Sequence, residues 1–149
     1  MSEGGFPEPV TVAFEVPFVA GQSRPRLTSR PFPHAVKPAR DSERERAVAA
    51  AFDEALAALG RTAPLAPKGV AVTVSVLCER PLPKTAPRRL VRQTDTLKPD
   101  ADNVAKLVLD ALNGHAWEDD SQVTSLRVSK MPRTRRDGAV TRVEVFCVV

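Results

Sequence analysis

From Val10 to Phe18, apolar residues recur at every second position (Val10, Val12, Phe14, Val16, Phe18), with Thr11, Ala13 and Glu15 between them. That period of two is the pattern of a strand with one buried face. Pro17 confines this strand to a sheet edge or ends it. The period returns over 70–78, where Val70, Val72, Val74, Val76 and Cys78 share a face, and two more strands are expected over 123–130 and 140–149. The Asp137-Gly138 pair between those last two predicts an antiparallel hairpin.

Two stretches switch to a helical period. Val48, Phe52, Ala55, Leu56 and Leu59 fall at i, i+4, i+7, i+8 and i+11, with Asp41 or Ser42 placed to cap the start and Gly60 to stop the helix. A second helix over 101–112 sets Val104, Leu107, Val108, Ala111 and Leu112 in one apolar stripe, and Asn113-Gly114 then offers residue types that accept a left-handed cap. Leu109 falls beside the charged stripe of Asp102, Lys106 and Asp110 and is the apolar residue the pattern leaves over. The order strand, helix, strand, helix, strand, strand predicts an α+β fold, a small mixed or antiparallel sheet backed by two helices. A length of 149 residues with 42% hydrophobic content suits one core, hence a single domain over 1–149. Residues 1–9 precede any periodic segment and are expected to be disordered. Segments 20–40 and 80–98 are basic and Pro-rich without apolar period and read as extended loops.

The 22 Lys and Arg outnumber 18 Asp and Glu, a net charge of +4 that favours a polyanionic partner. Basic residues crowd 80–98 and 127–136. A solvated face accounts for either run alone, but the two flank an acidic segment. Arg24, Arg26, Arg127, Lys130, Arg133 and Arg135 are candidates for phosphate contacts, which position DNA without reading its sequence. Cys78 and Cys147 sit in predicted strands with no CxxC or His at ligand spacing, so buried reduced thiols are expected, as in a cytoplasmic protein. Neither a leader nor a run approaching ~20 apolar residues is present, which implies a soluble protein with no membrane partner.

Asp100 stands at the start of the second helix, Asp102 in its first turn, and Asp119 and Asp120 follow the turn that ends it. Each has an ordinary explanation: a helix cap for Asp100, an i,i+4 pair with Lys106 for Asp102, turn formation for Asp119 and Asp120. Convergence is harder to explain that way, because the strand after Gly114 must return past the helix and can bring Asp120 toward its N-terminal end. Carboxylates sharing a small volume repel one another, and a hard divalent cation with oxygen ligands relieves that repulsion. Lys106 beside them could stabilise a phosphoryl transition state. Asp110 reads as helix-surface support. Trp117 is more simply a core anchor than a base-stacking platform. His115 and His34 are weak candidates for a general base.

The run Pro99-Asp-Ala-Asp-Asn103, Lys106, Asp110-Ala-Leu112, Trp117-Glu-Asp-Asp-Ser-Gln-Val123, continuing into Arg127 and Lys130-Met-Pro132, resembles the RusA family of Holliday-junction resolvases. Gly21-Gln-Ser-Arg-Pro-Arg26 is a weaker likeness. The resemblance implies a homodimeric, Mg²⁺-dependent endonuclease, with Mn²⁺ able to substitute, that nicks two opposed strands of a four-way junction in DNA recombination and repair. By position it makes Asp100, Asp102 and Asp120 the catalytic metal ligands, Asp119 an adjoining metal acid and Lys106 the essential lysine. Asn103 and Gln122 would brace the site through hydrogen bonds. A two-fold dimer would match the approximate two-fold axis of a four-way junction. The alternatives are a non-catalytic module that binds branched DNA, or a flap or general branched-DNA nuclease. The basic stretches over 20–40 and 81–97 are longer than in compact members, which leaves junction preference open.

Overall fold

The computed structural model describes residues 5–23, 26–28, 34–36 and 38–149, the two short middle pieces as backbone. In chain order the elements are β1 Pro9–Val16, β2 Arg26–Thr28, β3 His34–Val36, α1 Ala39–Ala58, β4 Val72–Glu79, β5 Arg92–Gln93, α2 Ala101–Leu112, β6 Val123–Lys130, β7 Arg133–Thr134 and β8 Val140–Val148, with a 3-10 turn over Asp120–Gln122 before β6. The main sheet runs β1-β8-β4-β6, with β8 antiparallel to both β1 and β4, and β4 parallel to β6. Antiparallel ribbons β2-β3 and β5-β7 lie outside it.

The alternation read in the sequence sorts the sheet into two faces. Val12, Val72, Val74, Val76, Val143 and Val145 are fully or almost fully buried and pack with Val48, Phe52 and Leu56 of α1 and with Val104, Val108 and Leu112 of α2. Their neighbours Thr11, Glu15, Thr73, Arg142 and Glu144 face outward and are exposed. Phe14 meets Phe52 edge to face, ring centroids 6.0 Å apart, an arrangement that adds about 0.5–1.5 kcal/mol beyond the area it buries. Leu109, left over by the stripe, is half-buried against the same core. α2 touches both α1 and the sheet edge, so its apolar arc is wider than one stripe.

The hairpin expected between the last two long strands does not form. β4 and β6 pair in parallel through the α2 crossover, which occupies one edge of β4 and leaves the other open. The chain leaving β6 crosses the end of β4, where the Met131 amide donates to the Cys78 carbonyl at 2.8 Å and the Leu82 amide to the Thr134 carbonyl at 2.8 Å. It then enters the gap between β4 and β1, and β8 pairs on both edges. Asp137-Gly138 lies in this crossing, not in a two-strand turn.

The cap of α1 also differs from expectation. Pro38 is the N-cap, and its carbonyl accepts from the amides of Asp41 and Ser42 at 3.1 and 3.3 Å. Asp41 lies in the first turn, where the helix dipole favours an acid, but it is fully buried and its carboxylate faces another partner. Gly60 and Gly114 take the positive φ, 72° and 85°, that follows each helix end. Neither basic segment is featureless: 20–40 holds β2 and β3, and 80–98 is folded down by β5 pairing with β7. Burial pushes the thiols of Cys78 and Cys147 up from their ordinary range, and both are free cysteines. Among the described residues no helix is long and apolar enough to cross a membrane.

Candidate active site

Asp100 is the N-cap residue of α2 in extended conformation, φ −68° and ψ 150°, and its carbonyl accepts the Val104 amide at 3.1 Å. Its side chain makes no cap hydrogen bond. Asp100 thus takes the N-cap position expected of it, but through its main chain alone, and its carboxylate has no hydrogen-bond partner among the described residues. Asp102 and Lys106 follow on the exposed side of α2, and the opposite side is buried through Val104, Val108 and Leu112.

Asp100, Asp102, Asn103, Lys106 and Asp110 line an open groove of about 1260 Å³. Gly21, Gln22 and Ser23 also line it, with Arg40 and Arg44 from α1 and Lys98 and Pro99 ahead of α2. The Gly21–Ser23 wall is built closely onto both helices. The Gln22 amide donates to the Asn103 carbonyl at 3.0 Å. A Cβ on Gly21 would lie 2.8 Å from Pro99 Cβ and 2.9 Å from Asn103 Cβ, so only glycine permits this approach. Ser23 donates from its amide to Asp41 Oδ2 at 2.7 Å and from Oγ to Oδ1 at 3.2 Å. Gln22 Oε1 is a buried acceptor with no hydrogen-bond partner among the described residues.

Asp120 opens the 3-10 turn and is exposed. The indole N–H of Trp117, wholly buried, donates to Asp120 Oδ1 at 2.9 Å. Trp117 therefore anchors the core and holds an acid, and its burial removes it as a stacking platform. Gln122 braces the turn: its Oε1 accepts from the amides of Glu118 and Asp119 at 2.9 and 3.0 Å, and its Nε2 donates to the carbonyls of Pro67 and Val70 at 2.8 and 3.0 Å. Asp119 Oδ2 accepts from Ser121 Oγ at 2.6 Å, and Asp119 lines a separate cavity of about 300 Å³ with Lys68 and Thr124. Asp119 and Asp120 do not line the groove of Asp100 and Asp102. Among the described residues no group of three or more His, Cys, Asp and Glu is arranged to hold a metal ion.

The basic candidates separate by role. Arg24 and the side chain of Arg26 lie outside the described residues, as does the side chain of His34. Arg127 is exposed on the edge strand β6. Arg133 Nε donates to the Pro81 carbonyl at 2.8 Å, and Arg135 to the Pro87 carbonyl. Lys130 Nζ donates to the Leu97 carbonyl, and its side chain is 13% exposed. His115 Nδ1 lies 3.0 and 3.1 Å from the two carboxylate oxygens of Asp53, a tie from the turn after α2 to α1, away from the groove.

Two residues that the pattern passed over are Arg80 and Asp95. The Asp95 side chain is wholly buried, and Arg80 grips it with Nε on Oδ2 at 2.8 Å and Nη2 on Oδ1. The hydrogen bond from Arg80 holds the Asp95 carboxyl below its usual range, and the same bond raises Arg80. A lone acid inside the basic run 88–98 was the available signal. Arg40 and Arg44, also unflagged, reach the groove from a helix whose polar face carries many charges.

The family described as Endodeoxyribonuclease RusA matches residues 17–146. A Bacillus subtilis (strain 168) protein described as Uncharacterized protein YqaN is 44% identical over 69 residues, covering 40% of this chain and 47% of that protein, so the chain spans about half the length of that relative. The family match takes in the Gly21–Ser23 wall, the acidic start of α2 and the Trp117–Gln122 turn together, and the chain belongs to the RusA family.

Proposed function

We propose that this chain is a Mg²⁺-dependent, structure-selective DNA endonuclease that resolves four-way junctions by paired, symmetric nicking during recombination and repair. The observation that carries this is the groove at the start of α2, where the uncapped carboxylate of Asp100 stands with Asp102 among Arg40, Arg44, Lys98 and Lys106. Carboxylate oxygens in an open, cation-walled groove suit a hard cation that bridges protein and phosphate. Mg²⁺ is commonly held by one or two carboxylates plus waters and substrate phosphate oxygens, so two acids meet its need on the protein side.

Asp100 and Asp102 would hold the metal, and Asp120, fixed by Trp117, with Asp119 beside it, would supply the acids of the neighbouring turn. When bound, the cation supplies Lewis-acid stabilisation and lowers the pKa of coordinated water. Lys106, one turn along α2 from Asp102, stabilises negative charge on the scissile phosphate. Arg40, Arg44 and Lys98 hold flanking phosphates in register, with Arg127 extending the basic surface. The functional unit is a homodimer in the cytoplasm, one domain per chain, since two identical sites related by a two-fold axis face opposed strands of a junction. Mn²⁺ substitutes for Mg²⁺.

Incubation of the protein with labelled four-way junction, in Mg²⁺ or in EDTA, tests this. Paired nicks at symmetric positions that require the metal are expected. Tight junction binding with no metal-dependent nicking would overturn the enzyme reading in favour of a binding module. Equal cleavage of flaps and linear duplex would make the protein a general branched-DNA nuclease.

A further inference from the structure

Ahead of α2 the chain runs through Asp95, Leu97 and Lys98 before reaching Pro99 and Asp100, and this segment is held from the sheet. Arg80 follows β4 directly, and Lys130 is the last residue of the parallel strand β6, opposite Cys78. The two cations therefore emerge at the same end of adjacent strands. Arg80 grips buried Asp95 with two donors, then continues from Nη1 to the Lys98 carbonyl at 2.7 Å and from Nη2 to the Leu97 carbonyl at 3.3 Å. Lys130 Nζ donates to that same Leu97 carbonyl and stands 3.9 Å from Asp95 Oδ1. The Leu97 amide closes the loop on Asp95 Oδ1 at 3.4 Å.

Carbonyls of a loop are ordinarily hydrated, and here two consecutive ones, immediately before the acidic start of α2, receive cationic donors instead. The side chains of Arg80 and Lys130 are 18% and 13% exposed, so neither is presented as a free surface charge. A planar guanidinium fork fixes direction as well as distance. We infer that Arg80 and Lys130 are positioning residues of the nuclease: through Asp95 and the Leu97 and Lys98 carbonyls they fix where Asp100 and Asp102 enter the groove. Lys130 thus acts on the metal-binding acids, and not on DNA phosphate as its place in a basic run suggests. The inference rests on the nuclease reading of the groove.

The two roles for Lys130 predict opposite results in Lys130→Met. Three measurements on the full chain decide: Mn²⁺ affinity of the DNA-free protein by electron paramagnetic resonance, four-way-junction affinity in EDTA over a range of salt, and thermal melting. A positioning role lowers Mn²⁺ affinity by roughly tenfold, as loss of an outer-shell partner does, with junction affinity and its salt slope unchanged. A phosphate contact leaves Mn²⁺ affinity intact and reduces the salt slope by about one, which would overturn the inference. Lower melting with unaltered Mn²⁺ affinity in the folded protein would also overturn it, by assigning Lys130 to stability alone. Lys130→Arg, which keeps a donor for the Leu97 carbonyl, is expected to retain near wild-type Mn²⁺ affinity. A wild-type protein that binds Mn²⁺ while Lys130→Met matches it refutes the positioning role only. Wild-type protein that binds no Mn²⁺ refutes the nuclease reading and this inference with it.

Discussion

Asp95 and Asp100 belong to one short stretch of chain and are held in opposite ways. Asp95 is buried, gripped by the fork of Arg80 with Lys130 nearby, and its carboxyl is depressed by that grip. Asp100 is exposed at a helix start, where an acid ordinarily binds a backbone N–H, and its carboxylate declines that role. The first acid stabilises the fold through a satisfied charge. The second has no cap hydrogen bond and gains from the fold only the favourable field of the helix start, so its oxygens remain open to a ligand in the groove. Residue type and spacing are alike in the two cases; burial and partner separate them.

Substitutions can break that contrast in either direction. Asp102→Asn, in the groove beside Asp100, is expected to reduce junction cleavage by more than the roughly 100-fold that losing an outer-shell partner costs. Its melting temperature should shift by no more than about 2 °C, as for an exposed position. A gel assay of nicking and a melting curve on one preparation check both. Asp95→Ala should do the reverse in stability, costing on the order of 3 kcal/mol because Arg80 is left as an unpaired, largely buried cation, or about 6–12 °C in melting temperature.

The pH dependence follows from the same grip. The folded pKa of Asp95 lies below its ordinary 3.8. Its contribution is therefore fully present above that value and lost as pH falls through the depressed one. The melting difference between wild type and Asp95→Asn should hold constant from pH 8 to about 5 and collapse in stronger acid. A difference that varies across neutral pH would assign the effect to another group.

Gly21→Ala sharpens the comparison from a neighbouring part of the groove lining. Its added methyl meets the Cβ atoms of Pro99 and Asn103 at 2.8 and 2.9 Å, and overpacking of this kind costs about 1–3 kcal/mol. Denaturant unfolding measures the cost, and weakened cleavage should accompany it because Gly21, Pro99 and Asn103 all line the groove. Trp117→Phe is the mildest change. It keeps an aromatic ring in the core and removes the N–H that holds Asp120 Oδ1, and the Mg²⁺ concentration for half-maximal cleavage should rise roughly tenfold. An unchanged Mg²⁺ requirement would detach Asp120 from the metal.

Local signals explain what is legible in the sequence alone. α2 spans Ala101–Leu112 as its apolar stripe predicts, because Pro99 and Gly114 bracket it and six of its residues are buried. β6 likewise starts and ends where its composition changes. Long-range pairing was not legible. Asp137-Gly138 marks a bend in the chain, but a bend does not say which strand lies beyond it, and β8 lies between β1 and β4. Asp41 is a helix-start acid by position, yet its partner Ser23 is remote in sequence. Arg80, Lys130 and Asp95 meet only because parallel pairing sets the ends of β4 and β6 side by side. Of the acids, Asp100 and Asp102 share a groove because one helix start carries both, whereas Asp119 and Asp120 belong to a turn with its own bracing.

Trp117 is the only tryptophan in the chain, and the sequence has no tyrosine. Its indole is sealed from solvent and hydrogen-bonded to Asp120. The intrinsic fluorescence of the protein therefore arises from one chromophore whose emission is sensitive to charge at a single carboxylate. Any event that reorders that carboxylate can be followed optically in unlabelled protein.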